Sequence, residues 1–361
     1  MTLHVLQVYR EFHPAASGVA RHMDGLARAL AAVPGVSVEI IAPDVAPDLP
    51  RAPYRVTPQG WRGLLAAVRR CDVVHAHGSR TALSMAAVVL AALLGKPSVF
   101  TPHCYYDSGG PLRRLAKRLW DASLERAHIR RCGAVIVLHD GWKRDLADRG
   151  FAPRRCAVIP NCVDADALLA RHRHAEARHL DGTPALLSIG RLDPVKRLDD
   201  VIAALTRPGL ENAVLHVVGT GGDADRLRLT GERLGVSGRV RFHGWQDDDA
   251  SAAMMKGCAA MVLASEREGL PTVMLEALLT GTPIAYSAIE GNCSVADPVG
   301  WNAAFPLGDI AAMADVLARL SAGNGVPPEV TRAVHGLFTW QGRAAQVKAL
   351  YDDLRKPPET A

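Results

Sequence analysis

Two short stretches combine residue types suited to phosphate and sugar chemistry. Residues 265–278 read SEREGLPTVMLEAL and are followed by GTPIA at 281–285. Pro271 suits the first position of a helix, where its missing N–H costs nothing, and Gly269 allows close backbone approach just before it. A helix beginning there presents unpaired N–H groups and the positive end of its dipole, which together bind anions. Glu268 precedes that start, and Glu276 lies about one and a half turns into the helix. Both carboxylates are placed to accept hydrogen bonds from hydroxyls of a ligand held by its phosphates; an ordinary pair of surface glutamates is the plainer alternative. The second stretch, SIGRLDPVKR at 188–197, directly follows a strand pattern. Arg191 offers a planar fork and Lys196 a mobile point charge across a turn containing Pro194. That combination suits a diphosphate whose charge grows as a bond to it breaks. Taken alone, the stretch also fits a solvated basic turn.

Metal chemistry is not indicated. Asp-x-Asp spacing occurs at 164–166, 223–225 and 247–249, but short acidic matches are common in helix-start turns, and none is expected to hold a cation. His172, His174 and His179 fall in an irregular, Arg-rich stretch that reads as a polar linker rather than a ligand set. The seven cysteines are an odd number without close pairing, which signals neither a disulfide framework nor a zinc site and suits a reducing compartment. Two histidines follow strand patterns, His103 in FTPH at 100–103 and His139 after VIVL at 135–138. Ligands gather at the carboxyl ends of parallel strands, so both are candidates, His139 for an acceptor contact; a structural histidine is the alternative at each.

The elements that must position these residues follow from size and periodicity. At roughly 100 to 200 residues per domain, 361 residues imply two domains. A hydrophobic content of 48% excludes a disordered chain. The net charge of +5 and isoelectric point near 8.9 favour anionic partners, but Lys and Arg are spread along the chain and nucleic acid is not expected. Met1 runs straight into Leu3, Val5, Leu6 and Val8 without a basic leader, so no signal peptide is expected and a cytoplasmic location is. The longest apolar run, 82–94, has 13 residues where a membrane span needs roughly 20, and it is expected to be a buried helix.

Short β-branched runs alternate with helical patterns through both halves, the signature of parallel strands joined by crossover helices. Strands at 3–8, 36–42, 72–76, 97–101, 134–138 and 156–159, with helices near 19–32, 62–70, 80–94, 112–131 and 142–149, predict a doubly wound sheet. Residues 165–184 are expected to form a linker. The pattern restarts with strands at 185–190, 213–218, 239–243, 259–263 and 283–286 and helices near 196–206, 222–235, 248–256, 271–280 and 309–321. Pro327 and Pro328 break it, and a last helix follows at about 340–354. The expected domains are 1–164 and 185–339, with 340–361 as a terminal helix.

Together these stretches resemble the retaining glycosyltransferases of family 4, also described as glycosyl transferases group 1, whose second lobe carries an Arg, a Lys and a Glu-x7-Glu signature in this order. The resemblance covers nearly the whole chain and includes IPNCVD at 159–164, VGTGG at 218–222, VRFHG at 240–244 and FTW at 338–340. It implies a GT-B architecture: two Rossmann-like α/β lobes facing across a cleft, with the terminal helix packing back on the first. It also implies transfer of a hexose-type sugar from a nucleotide diphosphate sugar, UDP-sugar favoured over GDP-mannose, with retention, without metal and without cofactor. The acceptor would be a glycan or lipid-linked saccharide in surface polysaccharide or glycolipid biosynthesis.

By the same resemblance, Arg191 and Lys196 hold the diphosphate, Glu276 the ribose and Glu268 the donor sugar, while Gly269, Leu270, Thr272 and Val273 line the donor site. The stretch around His243 lines the base pocket. Gly18 belongs to the glycine-rich turn after the first strand with Ser17 as an acceptor candidate, and His103 lies beside the donor sugar. His103, Arg191, Lys196 and Glu268 form the expected catalytic set. Two departures stand out: AASG at 15–18 where a double glycine is common, and EGNCS at 290–294 in place of a glycine pair and a later glutamate. A dehydrogenase is disfavoured because no Gly-x-Gly-x-x-Gly follows the first strand. A sugar-nucleotide epimerase, a phosphorylase of similar architecture and a non-catalytic sugar-nucleotide-binding protein remain as alternatives. Finally, PLRRLAKRLW at 111–120, continuing to Arg126, Arg130 and Arg131, has leucines at helical spacing among basic residues. Residues 112–131 are therefore expected to touch an anionic membrane as a peripheral helix, unless the leucines face the core.

Overall fold

A computed structural model describes residues 2–12, 18–45, 52–58, 60–105, 107, 110–323 and 325–356. The chain divides into two compact units, Met1–Cys162 with Trp340–Ala361, and Val163–Thr339.

The first unit is built on a seven-stranded parallel sheet in the order Arg55–Thr57, Val36–Ile41, Leu3–Val8, Val73–His77, Ser98–Thr101, Ala134–Val137 and Cys156–Val158. The strands Val73–His77, Ser98–Thr101 and Ala134–Val137 are buried along their full length, as expected where helices cover both faces of a parallel sheet. One face packs on the helices Gly18–Ala31 and Trp340–Arg355 through Met23, Leu26, Leu30, Trp340, Val347 and Tyr351. The other packs on Gly60–Arg70 and Ala82–Leu93 through Leu64, Val68, Leu83 and Ala87. The apolar run at 82–94 buries only one stripe and leaves Leu93 76% exposed. Among the described residues no helix is long and apolar enough to cross a membrane.

The expected helix at 112–131 is interrupted. Pro111–Trp120 is α-helical and Asp121–Glu125 widens into a π turn before Arg126–Arg131. The widened turn directs the buried Asp121 and Glu125 inward. Arg80 donates to Asp121 through Nε at 2.7 Å, and its backbone N–H lies 3.2 Å from Glu125 Oε2. No residue of Pro111–Trp120 is buried.

The second unit carries a six-stranded parallel sheet in the order Val240–Gly244, Val214–Val218, Ala185–Ile189, Ala260–Leu263, Ile284–Ser287 and Ala304–Phe305. The stretch expected as a linker belongs to this unit and contains a helix, Ala165–His174, because Asp164 caps it by accepting the N–H of Ala167 at 3.1 Å. Arg171 then pairs with Asp249 at 3.1 Å, which ties that helix to Asp248–Gly257. The three Asp-x-Asp matches all lie at helix starts, Asp164, Asp223 and Asp247 each occupying an N-cap position. Pro328, read from sequence as a break, is the first residue of the helix Pro328–Leu337. A further helix, Glu290–Val299, was not expected from sequence.

Candidate functional site

In the second unit the sheet order reverses between Ala185–Ile189 and Ala260–Leu263, so the connections leaving these neighbouring strands diverge and open a crevice at their carboxyl ends. The two chemically loaded stretches leave from those two strand ends. Gly190, Arg191, Lys196, Ala264 and Ser265 line the crevice together. Asp193 accepts the N–H of Val195 at 3.1 Å and so opens the single turn Pro194–Lys196. Lys196 Nζ lies 2.6 Å from Glu268 Oε1, and Ser265 Oγ donates to the same oxygen at 2.6 Å. The N–H of Glu266 adds a second tie by donating to Val195 O at 2.9 Å. The Glu268 side chain is only 8% exposed, which strengthens its attraction to Lys196 over that of a surface pair. Arg191 is exposed and forms no ion pair among the described residues.

Pro271 lies one residue outside the helix it was expected to open. Its φ of −75° suits either position, but its ψ of 106° is extended, so it is the N-cap of Thr272–Leu279. Its carbonyl accepts the N–H of Met274 at 3.1 Å. Thr272 and Val273, both half-buried, therefore carry N–H groups with no carbonyl one turn earlier in the helix. Gly269 and Leu270 are buried beside them, and Glu276 is half-buried within the helix.

What holds Glu268 was not legible in the motif. Ser287 Oγ donates to Ser265 O at 2.6 Å, and Asn292 Nδ2 donates to Ser287 O at 2.9 Å and to its Oγ at 3.1 Å. Ser265, Ser287 and Asn292 are each 0% exposed. A Cβ added at Gly291 would lie 2.6 Å from Glu268 O. Gly291 and Asn292, within the departure noted at 290–294, thus help to hold the segment that carries Glu268. The only sequence signal for it was the glycine.

His243 is on the edge strand, two strands over from Ala185–Ile189. Its Nε2 is 3.0 Å from His216 Nδ1, and the two rings stack with centroids 5.2 Å apart. Burial and the neighbouring His216 hold its pKa below the ordinary value. The VGTGG turn packs directly on the strand end leading to Arg191. Gly219 has φ +132°, and a Cβ there would meet Gly190 O at 1.9 Å.

In the first unit the strand order reverses between Leu3–Val8 and Val73–His77. His103 follows Ser98–Thr101, is buried, and has a left-handed backbone with φ +63°. Its Nε2 is 3.2 Å from His77 Nδ1, and its ring lies edge-on to His22 with centroids 4.7 Å apart. His22, His75 and His77 were missed in sequence because a helix and a strand deliver them. Gly18 opens the helix Gly18–Ala31 with nothing within 4 Å of a Cβ placed on it. Ser17 lies outside the described residues. His139 is half-buried after Ala134–Val137, beside Trp142 with ring centroids 6.1 Å apart.

The sequence model of Glycosyltransferase Family 4 matches residues 16–167, and that of Glycosyl transferases group 1 matches 171–332. The chain is 31% identical over 263 residues to the 2-deoxystreptamine N-acetyl-D-glucosaminyltransferase of Streptomyces fradiae, covering 68% of this chain and 61% of the relative. It is 31% identical over 174 residues to the lipopolysaccharide core biosynthesis glycosyltransferase LpsE of Rhizobium meliloti, covering 48% of this chain and 49% of that protein. The matches thus span about half to three fifths of these relatives' lengths. Among solved structures, Anabaena HepE in complex with UDP superposes with a TM-score of 0.71 at 16% identity, covering 98% of this chain and 100% of that one.

Proposed function

The chain belongs to the glycosyltransferases of family 4 and group 1 and has the GT-B fold, and from that premise we propose that it moves a hexose-type sugar from a nucleotide diphosphate sugar to a saccharide acceptor, with retention and without a metal. The observation that carries this is that Arg191 and Lys196 line the crevice where the second sheet reverses, with Lys196 paired at 2.6 Å to Glu268, three residues before Pro271, the N-cap of Thr272–Leu279. Fixed positive charge and helix-start N–H groups there suit a departing diphosphate, doing the work a cation does elsewhere. The donor diphosphate competes with Glu268 for Lys196, which leaves the Glu268 carboxylate to accept sugar hydroxyls. In the transfer step the anomeric carbon–phosphate oxygen bond breaks as the acceptor oxygen bonds to the same face. The acceptor proton passes to the leaving diphosphate. Arg191, Lys196, Glu268 and His103 form the catalytic set. Gly18, Gly269, Leu270, Thr272, Val273 and Glu276 contact the donor, and the backbone near His243 lines the base. His139 and, by the resemblance alone, Ser17 are the acceptor candidates.

The UDP held by the Anabaena relative supports a UDP-sugar donor, and the lipopolysaccharide role in the Rhizobium relative's name supports a lipid-linked acceptor in surface glycan synthesis. Peripheral contact with an anionic membrane is supported by the helix Pro111–Trp120. Leu112, Leu115 and Leu119 are 80%, 53% and 62% exposed among Arg113, Arg114, Lys117 and Arg118, so the leucines do not serve the core. The test is a nucleotide and sugar-nucleotide panel read by thermal shift, followed by product analysis with and without a saccharide acceptor. A UDP-sugar is expected to raise the melting temperature most, and NMR of an EDTA-treated reaction to show a new linkage of unchanged anomeric configuration. An inverted linkage, or activity lost to EDTA and restored by manganese, contradicts the mechanism. Donor isomerisation or phosphorolysis without acceptor indicates the epimerase or phosphorylase alternative, and binding without turnover the non-catalytic one.

A further inference from the structure

We infer that His77 is a positioning residue for His103: it donates from Nδ1 to His103 Nε2 and fixes that ring and its tautomer, so that His103 offers a protonated Nδ1 to the donor sugar. The inference rests on the place given to His103 in the reaction proposed above. His77 Nδ1 and His103 Nε2 are 3.2 Å apart, with ring centroids 5.4 Å apart and planes tilted by 31°. His77 is 0% exposed, whereas His103 keeps 8% of its surface open, so of the two it is His103 that can meet a ligand.

Backbone bonds bring the two rings together. Val73–His77 and Ser98–Thr101 pair in parallel, and the pairing continues past their ends. The N–H of Gly78 donates to Thr101 O at 2.9 Å, and that of Ser79 donates to Pro102 O at 2.9 Å. Ser79 Oγ also donates to Cys104 O at 2.6 Å. Glycine is required at 78, where φ is +79° and a Cβ would lie 2.2 Å from the Tyr9 ring. Held between these bonds, His103 keeps a left-handed backbone with φ +63°, a costly conformation that persists only where its surroundings over-determine it. The His77 ring is fixed in turn by His75, which stacks on it at 4.1 Å. His75 is itself anchored through Nδ1 to Tyr351 Oη at 2.6 Å and through Nε2 to Thr101 Oγ1 at 2.8 Å.

The direction of the bond follows from burial. Burial and the neighbouring imidazoles hold the pKa values of His77 and His103 well below the ordinary value, so each ring is neutral at neutral pH and carries one proton. His77 Nε2 is buried and finds no hydrogen-bond partner among the described residues. A stranded buried N–H is the rarer and costlier orphan, which places the His77 proton on Nδ1, where it is donated. His103 Nε2 is then the acceptor, and the His103 proton is left on Nδ1. A ring held through one nitrogen presents the other as a donor to a sugar oxygen, already oriented before the ligand arrives.

The test is nitrogen NMR of the full chain labelled at its histidine rings, at neutral pH and without ligand, with His103→Gln used to assign the His103 signals. His103 is expected in the Nδ1–H form; a His103 ring protonated on Nε2, or on both nitrogens, overturns the inference. His77→Leu should disturb that form and lower kcat/KM for the donor by about tenfold or more, since the ring loses its orientation. His77→Asn, whose amide can donate from nearly the same place, should keep the form and show a clearly smaller loss. An unchanged tautomer or an unchanged rate in His77→Leu, or an equal loss in His77→Asn, also overturns it. Should His77→Leu fail to fold, the wild-type spectrum decides. A wild type that transfers no sugar defeats the proposed reaction, while the spectrum, which needs no substrate, still decides the His77–His103 bond.

Discussion

Lys196 and Glu268 are 72 residues apart in sequence and 2.6 Å apart in space. They meet because each follows one of the two strands between which the second sheet reverses direction, and Ser265 fixes the shared carboxylate oxygen from below. In the reaction proposed above, the cation assigned to the diphosphate is thus stored on the carboxylate assigned to the sugar.

Losing a cation that acts on the departing diphosphate is expected to lower kcat by roughly a hundredfold or more in Lys196→Ala and Arg191→Ala, measured as steady-state transfer. Lys196→Ala also leaves a nearly buried carboxylate without its counter-charge, so its melting temperature should fall more than that of Arg191→Ala. Lys196→Met/Glu268→Gln should recover the melting temperature without recovering turnover. Near-normal kcat in both single alanine variants contradicts the assignment.

The support under Glu268 should be felt in catalysis without any loss of charge. Gly291→Ala places a methyl group 2.6 Å from Glu268 O and must shift that loop. Ser287→Ala removes the hydroxyl that holds Ser265 O and costs about 1 to 3 kcal/mol by leaving buried partners unpaired. Both are expected to lower kcat/KM for the donor by roughly tenfold or more, since small misplacements of positioned groups are costly. Unchanged kinetics in both would mean that the loop holds itself.

Acid sensitivity of the first unit should depend on His128. It is 2% exposed, neither ring nitrogen finds a partner among the described residues, and burial alone lowers its pKa from 6.5 to about 4. The folded value lies below the unfolded one, so its contribution is fully present above about pH 6.5 and is lost as pH falls towards 4, where the unfolded chain holds a proton the folded chain lacks. The loss amounts to about 3 kcal/mol at the acid end. His128→Leu should flatten the acid limb of stability against pH by close to one proton, measured by denaturant titration between pH 7 and 4. An identical limb in the variant rules His128 out as its source.

Contact of Pro111–Trp120 with an anionic bilayer should appear as salt-sensitive co-sedimentation with anionic liposomes. Each basic residue near such a surface contributes about 1 kcal/mol, so four suffice for weak binding. The Arg113→Glu/Arg114→Glu/Lys117→Glu/Arg118→Glu variant should lose it, and Leu112→Ser/Leu115→Ser should weaken it at low and high salt alike. Equal partitioning of the wild type and the charge-reversed protein, or no binding by either, contradicts a membrane role for this helix.

Local pattern determined much of this protein. Alternating β-branched and amphipathic runs named nearly every long strand and helix, since a parallel strand buried on both faces and a helix with one apolar stripe each leave a period in the sequence. The Arg191, Lys196 and Glu-x7-Glu stretches marked the crevice where the second sheet reverses because their chemistry is carried by adjacent residues. Features decided by a few polar contacts were not legible: the capping of Ala165–His174 by Asp164, the one-residue shift of the helix start past Pro271, and the π turn at Asp121–Glu125. Two arrangements were decided only by tertiary structure. The chain from Asn292 through Ser287 and Ser265 to Glu268 joins a helix and two strand ends. The imidazoles of His22, His75, His77 and His103 converge from a helix and two neighbouring strands. In both, each residue taken alone is ordinary, and sheet order, which local periodicity does not encode, brings them into contact.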